Sequence, residues 1–181
     1  VGDRQLEGAA KLYASRHESA WETLFYWYIL KSPCFILKRE LFRIPIVGWY
    51  MRRAGMIGID RSGAAKTLRQ ILEAAAQPDL QHRPIVIFPE GTRMPHGTTA
   101  PLRTGFVSIA KNLQRDVVPV SLDAGKCWPR NAFLKQPGTI TVKFHPAVSY
   151  EDKQALVEQT ASALALSDRL SDATPHAAET R

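Results

Sequence analysis

Residues 85–93 join an apolar run to polar groups that suit an anion. The segment reads Ile-Val-Ile-Phe-Pro-Glu-Gly-Thr-Arg. Its apolar part is typical of a buried strand, and Pro89 and Gly91 predict a turn at the carboxyl end, where α/β sheets bind ligands. Gly91 permits close approach to the backbone, while Thr92 and Arg93 offer a hydroxyl group and a planar cation. The segment therefore favours a phosphate ligand, although an ordinary strand end shows the same pattern.

His17 has a spacing that suits acid–base chemistry. Of the five histidines it alone has a carboxylate five positions further on, at Glu22. A carboxylate bound to one ring nitrogen fixes the tautomer and leaves the other nitrogen free as a base. The segment Ser19-Ala-Trp-Glu22 also has the S-x-x-E pattern of a capping box, in which Glu22 only satisfies the helix N-terminus. Both roles are compatible, because a histidine just before a helix can fold back over its first turn.

Two further segments precede and follow the 85–93 run. Gly55-Met-Ile-Gly-Ile-Asp60-Arg61 predicts a strand that ends in a cation. Arg61 is either a second phosphate ligand or an ordinary surface residue at a strand end. Val117–Leu122 is apolar and predicts a core strand. The chain has no G-x-S-x-G, H-E-x-x-H, P-loop or G-x-G-x-x-G pattern, which argues against an α/β-hydrolase, a zinc protease and a nucleotide-binding protein.

Predicted strands and helices alternate along the chain. Apolar runs predict strands at about 11–15, 34–38, 56–60, 84–88, 117–122 and 139–144. Helical spacing predicts helices at about 19–30, 64–76, 104–113 and 150–166. This order predicts an α/β fold with a mixed, largely parallel sheet flanked by helices. With 181 residues and 45% hydrophobic content, we expect one domain over residues 1–168 and a flexible tail over residues 169–181.

The positive charge of the chain is concentrated in residues 31–69. The formal net charge is +7, and this segment holds nine Lys and Arg residues against Glu40 and Asp60. Aromatic residues are interleaved with the cations. Such a surface attracts anionic lipid headgroups or nucleic acid, although a solvated basic face beside core aromatics has the same composition. Cys34 and Cys127 lack the spacing of a zinc site, so reduced, buried thiols are expected.

Taken in order, the four segments resemble the glycerolipid acyltransferase family, specifically the bacterial 1-acyl-sn-glycerol-3-phosphate acyltransferases. That family shows a histidine separated by four residues from an acid, followed by G-x-I-x-I-D-R, F-P-E-G-T-R and V-P-V blocks. The matching segments span roughly residues 11–125 and are His17 with Glu22, Gly55–Arg61, Phe88–Arg93 and Val118–Val120.

Three departures from the family pattern affect what the resemblance implies. Glu22 replaces the usual aspartate, whose carboxylate is one methylene shorter. Arg103, in Leu102-Arg103-Thr104-Gly105, replaces a frequent lysine and keeps the charge. The family usually has a hydrophobic helical segment ahead of the histidine, whereas His17 lies close to the start of this chain. We therefore expect a truncated or partial chain.

The resemblance implies a glycerolipid acyltransferase-like fold and an O-acyltransferase activity. Oriented by Glu22, His17 would act as general base on the sn-2 hydroxyl of lysophosphatidate, which attacks an acyl thioester and gives phosphatidate. The donor would be acyl-CoA or acyl-carrier protein, and no bound cofactor or metal is implied. The residues implied to serve the acceptor phosphate are Arg61, Gly91, Thr92 and Arg93, with Glu90 orienting Arg93 or the loop and Arg103 as an additional cation.

The implied partners are a lysophospholipid, an acyl thioester and an anionic membrane surface, with no nucleic acid. The implied location is the cytoplasmic face of the cell (inner) membrane, reached peripherally or through a segment absent from this chain. Two alternatives stay open: acylation of another lysolipid such as lyso-ornithine lipid, and a non-catalytic protein that binds anionic lipids. Nucleic-acid binding is a weaker alternative, because residues 31–69 contain no recognised nucleic-acid motif.

Overall fold

The computed structural model describes residues 10–60 and 63–167. Arg61 and the predicted tail at residues 169–181 lie outside these ranges, so the predicted domain boundary at residue 168 stays a prediction. Within the described ranges, no helix is long and apolar enough to cross a membrane.

The described residues form a single sheet of six strands. In chain order they are β1 (Leu12–Ser15), β2 (Cys34–Lys38), β3 (Ile57–Ile59), β4 (Ile85–Ile87), β5 (Val117–Leu122) and β6 (Val142–Phe144). Their spatial order is β3-β2-β4-β1-β5-β6. The first five strands are parallel, and β6 pairs with β5 in the antiparallel sense. The mixed, largely parallel sheet predicted from the sequence is therefore confirmed.

Helices cover both faces of this sheet. In chain order they are α1 (Trp21–Ile29), α2 (Val47–Arg53), α3 (Ala64–Ala75), α4 (Pro78–Gln81), α5 (Gly105–Leu113), α6 (Ala124–Cys127) and α7 (Lys153–Ala165), and a 3-10 helix (Arg39–Arg43) precedes α2. Side chains alternate between the two faces of a strand. In β1, Leu12 packs in the core to which α3, α5 and α7 contribute, whereas Tyr13 packs in the aromatic core with Tyr26 of α1.

The structure contains helices that the sequence did not predict. The 3-10 helix and α2 lie between β2 and β3, and α4 and α6 are short helices of four residues each. A helix is recognised from sequence by an apolar stripe that faces the core. The large apolar residues of α2, Trp49 and Tyr50, are instead exposed, so they do not mark a buried face.

Several elements are shorter than expected, including α7, which begins at Lys153, and the differences at β6 and α1 involve side-chain hydrogen bonds. β6 begins at Val142, because the N–H of the preceding Thr141 donates to Asp123 Oδ1 (2.7 Å) and not to a strand. α1 begins at Trp21, two residues after the predicted start at Ser19. Both differences concern element ends, which side-chain hydrogen bonds shift easily.

The topology places His17 beside the turn that follows β4. β1 and β4 are parallel neighbours, and Ala14 pairs with Ile87 in their register. Because parallel neighbours have their carboxyl ends at one edge of the sheet, the loop after β1 and the turn after β4 lie side by side. The N–H of Met94 donates to the carbonyl of His17 (2.7 Å), which joins the two segments directly.

Candidate active site

His17 and Glu22 form a hydrogen-bonded pair at the start of α1. His17 Nδ1 lies 2.7 Å from Glu22 Oε1. The Glu22 side chain is fully buried, whereas the His17 side chain is 20% exposed and thus remains accessible. With Nδ1 bound to the carboxylate, Nε2 is the nitrogen that can take a proton from a substrate. The hydrogen bond that the sequence spacing suggested is present in the structure.

Glu22 also binds the backbone that leads into α1. Its Oε1 accepts hydrogen bonds from the N–H groups of Glu18 (3.0 Å) and Ser19 (2.9 Å). Ser19 Oγ in turn accepts from the N–H of Trp21 (3.1 Å). These contacts satisfy N–H groups of the backbone that leads into α1, but the N-cap is Ala20, which has no side-chain cap hydrogen bond, so the capping box suggested by the S-x-x-E pattern does not form. Glu22 therefore binds both the imidazole and the backbone just before the helix.

The turn after β4 holds His17 from three sides. The Phe88 ring stacks on the imidazole, with ring centroids 3.9 Å apart and planes inclined by 17°. Glu90 Oε2 accepts the backbone N–H of His17 (2.9 Å), and the N–H of Met94 donates to the His17 carbonyl (2.7 Å). Because both its backbone and its ring have partners, His17 is positioned by the Phe88–Met94 segment as well as by Glu22.

Gly91 allows a cation to lie across the turn. Its φ angle is +74°, a left-handed conformation that favours glycine. A Cβ atom at this position would lie 2.6 Å from Arg103 Nε, so the arginine side chain occupies the space that any larger residue would need. The N–H of Arg103 also donates to the carbonyl of Pro89 (2.8 Å). The structure thus brings Arg103 next to Gly91, where the sequence analysis expected an additional cation.

Cations surround the exposed side of this turn. Arg130, which the sequence analysis did not select, donates from Nη1 to the carbonyl of Arg93 (3.2 Å) and to Thr92 Oγ1 (3.4 Å). Within the described residues, the guanidinium groups of Arg93 and Arg103 have no carboxylate partner. A turn with available cations and an exposed threonine hydroxyl suits a phosphate group.

A buried arginine that the sequence analysis overlooked lies at the carboxyl end of β1. Arg16 is 1% exposed. Its Nε donates to Glu18 Oε1 (3.1 Å) and its Nη1 to Glu90 Oε1 (2.7 Å). Nη2 donates to the carbonyls of Pro95 and Thr98, in the loop after the turn. Arg16 therefore ties the end of β1 to the turn after β4 and to the next loop.

Glu18 extends the network to α6. Its Oε2 accepts the N–H of Gly125 (2.7 Å), and its carboxylate lies 3.3 Å from His96 Nδ1. A Cβ atom on Gly125 would lie 2.9 Å from Glu18 Oε2, so this close approach requires glycine. The available sequence signal was the run Arg16-His-Glu18, in which charged residues directly follow a buried strand.

The side-chain partner of Glu90 is Arg16 and not Arg93. We expected Glu90 to orient Arg93 or the loop, whereas in the structure its two carboxylate oxygens bind Arg16 and the N–H of His17. The pKa of Glu90 is raised from 4.5 to about 7: burial is the main cause and the nearby carboxylates of Glu18 and Glu22 add to it, while Arg16 and the N–H of His17 oppose the shift. The guanidinium of Arg16, which Glu90 shares with Glu18, offsets this effect of burial only in part.

The remaining predicted phosphate ligand, Arg61, lies outside the described residues. β3, the strand that precedes it, is separated from β4 by β2. Within the described ranges, no group of three or more His, Cys, Asp or Glu side chains is arranged to hold a metal ion.

This fold, with a histidine–carboxylate pair and a cationic turn at one sheet edge, is the arrangement expected of an acyltransferase domain. A family model described as Acyltransferase matches residues 2–123. The chain belongs to this family, and the resemblance that the motifs indicated is confirmed.

Relatives with specific names are similar over most of the chain. A 1-acyl-sn-glycerol-3-phosphate acyltransferase of Pseudomonas aeruginosa is 36% identical over 137 residues, which cover 76% of this chain and 53% of that protein. The protein of the same name from Cocos nucifera is 31% identical over 143 residues, covering 78% and 46%. The chain thus spans about half the length of the curated relatives it matches.

A solved structure has the same fold. The crystal structure of the 1-acyl-sn-glycerophosphate (LPA) acyltransferase PlsC from Thermotoga maritima superposes with a TM-score of 0.80. The match covers 97% of this chain and 72% of that one, at 22% identity. The predicted glycerolipid acyltransferase-like fold is therefore confirmed.

Proposed function

We propose that this chain transfers a fatty acyl group from a thioester to the sn-2 hydroxyl of lysophosphatidate, giving phosphatidate in phospholipid biosynthesis. The observation that carries the proposal is the His17–Glu22 pair held against a turn that presents cations. The family and the names of the relatives support the same reaction.

His17 acts as the general base. Nε2 takes the proton of the acceptor hydroxyl as the hydroxyl oxygen attacks the thioester carbonyl, and the C–S bond of the tetrahedral intermediate then breaks. The leaving thiolate takes the proton from Nε2, so the imidazole returns to its starting state. The buried carboxylate of Glu22 stabilises the imidazolium that exists between these two transfers.

The cationic turn binds the acceptor phosphate. Arg93 and Arg103 supply charge and paired hydrogen bonds, and Thr92 and the Gly91 backbone assist. Arg61 belongs to this set through the family resemblance. An acceptor without phosphate, such as lyso-ornithine lipid, would leave these cations without their partner, so lysophosphatidate is the favoured acceptor.

Glu90 is a positioning residue in this proposal. Its Oε2 holds the N–H of His17, while Arg16 fixes its Oε1. Misplacing a catalytic group by about 1 Å can cost on the order of 100-fold in rate. The Arg16–Glu90 pair therefore keeps the imidazole at a fixed distance from the phosphate-binding turn.

The acyl donor is acyl-CoA or acyl-carrier protein, and no bound cofactor takes part. Because the acceptor is a membrane lipid, the reaction occurs at a membrane surface, which we place at the cytoplasmic face of the inner membrane. The cations of residues 31–69 support contact with anionic lipid.

Thiol release from acyl-CoA or acyl-carrier protein, measured with a panel of lysolipids, tests the reaction. His17→Ala should lower release with lysophosphatidate by about 100- to 10,000-fold, the contribution expected of a general base. The matched control is His82→Ala, at an exposed histidine beyond α4. Glu22→Gln should also lose most activity, whereas Glu22→Asp, which keeps the carboxylate, should retain more.

Near-normal turnover in a folded His17→Ala protein would contradict the mechanism. Faster acylation of lyso-ornithine lipid than of lysophosphatidate would contradict the acceptor assignment. Lipid binding without any thiol release would favour the non-catalytic alternative.

A further inference from the structure

Helix α2 and the turn before it expose a compact set of large apolar side chains. Exposed fractions are 84% for Ile46, 63% for Trp49 and 55% for Tyr50, and Ile44 and Val47 are also exposed. Trp49 and Tyr50 lie on α2, and Ile46 is the residue directly before the helix. We call these five residues the apolar face of α2. Exposed apolar clusters of this kind mark contact sites rather than ordinary solvent-facing surface.

Close packing of α2 on the 3-10 helix leaves the apolar face exposed to solvent. On the opposite side of α2, a Cβ atom at Gly48 would lie 2.1 Å from the carbonyl oxygen of Phe42, so the helix is packed tightly on the 3-10 helix. Arg52 Nη1 also donates to this carbonyl (2.7 Å). Ile46, at the tip of the turn, has a φ of +64°, which is costly for a β-branched residue. The rigid packing sustains a strained turn that exposes an isoleucine.

Cations border the apolar face. Four exposed basic residues at positions 38–53 are not engaged on the opposite side of α2 as Arg52 is, and they stand against the single acid Glu40: Lys38, Arg39, Arg43 and Arg53. A short helix with apolar and aromatic residues on its outer face and flanking Lys and Arg is typical of a segment that lies in a bilayer interface. Trp and Tyr are the residues that favour the headgroup level. The charge is complementary to anionic lipid.

An aromatic series leads from the apolar face to the base. The Tyr50 ring lies 6.4 Å from Trp27 of α1, and Trp27 lies 6.5 Å from Phe35. Phe35 lies 6.4 Å from Phe88, which stacks on His17 at 3.9 Å. The exposed surface and the candidate active site are thus joined by contacting apolar side chains.

We propose that the apolar face of α2, with its bordering cations, is the surface through which the domain docks on an anionic lipid bilayer. Ile46 and Trp49 enter the boundary between headgroups and acyl chains, while the arginines contact lipid phosphates. This orientation places Tyr50, the exposed end of the aromatic series, next to the lipid. The functional purpose of this docking rests on the proposed acylation of a membrane lipid, whereas binding to the bilayer itself needs no reaction.

Flotation of the protein with vesicles of equimolar phosphatidylcholine and phosphatidylglycerol tests the proposal. The test variant combines Ile46→Asn with Trp49→Gln; asparagine is chosen at position 46 because it tolerates a positive φ. This variant should bind vesicles about 100-fold more weakly, since it loses two large apolar side chains. Leu166→Gln, at an exposed leucine beyond α7, is the control and should bind as the unmodified chain does. Equal binding of all three proteins would overturn the proposal.

A second pair of variants tests the cations. The double variant Arg43→Gln with Arg53→Gln should lower vesicle binding by about fivefold for each charge removed. The control, Lys111→Gln with Lys153→Gln, removes the same charge from α5 and α7 and should have little effect on vesicle binding. The opposite result is that the Ile46 and Trp49 variant binds vesicles normally, while the Arg43 and Arg53 variant loses binding to acyl-carrier protein. The surface would then bind an acidic protein and not a bilayer.

Failure of docking and failure of the reaction are distinguishable. His17→Ala should retain full vesicle binding, because the imidazole lies away from the docking surface. The Ile46 and Trp49 variant should lose more turnover with acceptor in vesicles than with a dispersed short-chain lysophosphatidate. Normal vesicle binding by the unmodified chain without any thiol release would sink the proposed reaction and leave docking intact.

Discussion

At the scale of single residues, the site depends on groups that serve two purposes at once. Glu22 binds both His17 and the backbone that leads into α1, and Glu90 binds both Arg16 and the backbone of His17. The first was accessible from sequence, because its partners lie within five residues of it. The second was not, because Arg16 and Glu90 lie 74 residues apart and only the register of β1 with β4 brings them together.

The raised pKa of Glu90 predicts a pH dependence of stability. Its pKa rises from an ordinary 4.5 to about 7, so between these values the folded state binds more protons than the unfolded state. The contribution of Glu90 is therefore fully present below pH 4.5 and is lost as the pH rises through 7. Glu90→Gln removes this titration.

Urea unfolding of the unmodified chain and of Glu90→Gln, repeated across this interval, isolates the effect. The stability of the unmodified chain relative to the variant should fall with pH, by at most about 1.4 kcal/mol per pH unit. A difference that rises with pH would mean that the pairing with Arg16 outweighs the cost of burial.

At the scale of elements, the sequence was most informative where burial sets the pattern. The apolar runs of β1, β4 and β5 predicted strands because central parallel strands are buried on both faces. The turn after β4 was also predicted from sequence, because a glycine between polar residues indicates a backbone conformation with positive φ, which Gly91 has. α2 was missed because its apolar side chains face outward, which is the opposite of the pattern that identifies a helix in a core.

Gly91→Ala should impair acceptor binding through the displacement of Arg103. The substitution places a methyl group 2.6 Å from Arg103 Nε and also forces alanine into a positive φ. Gly97→Ala is a matched control, since its φ of +77° carries the same backbone cost but its Cβ would meet no atom within 4 Å. Both variants should lose about 1 kcal/mol of stability.

Steady-state thiol release separates the two costs. Only Gly91→Ala should raise KM for lysophosphatidate, by about tenfold if one charge-assisted hydrogen bond is lost. An equal rise in KM in the Gly97→Ala protein would assign the effect to the backbone of the loop, and Arg103 would then have no part in binding.

At the scale of the whole molecule, the Arg16 network joins segments that are distant in sequence. Arg16 and its two carboxylates connect the end of β1, the turn after β4, the loop at residues 95–98 and the start of α6. A family motif identifies the residues that perform chemistry, but it does not reveal which buried charges hold them together. Those charges follow from topology, so the sequence predicted the His17–Glu22 pair and not the buried charges beside it.

Arg16→Leu should destabilise the fold by about 3–5 kcal/mol, because it leaves Glu18 and Glu90 buried without their guanidinium. That loss is large beside a typical total of about 5–15 kcal/mol. Adding Glu18→Gln and Glu90→Gln neutralises both carboxylates, so the triple variant should regain part of the lost stability. Turnover should nevertheless stay low in the triple variant, because no guanidinium then fixes residue 90 and the loop after the turn relative to His17. Urea unfolding and thiol release, measured on the same preparations, separate the two effects. A triple variant less stable than Arg16→Leu alone would show that the unpaired carboxylates are not the source of the instability.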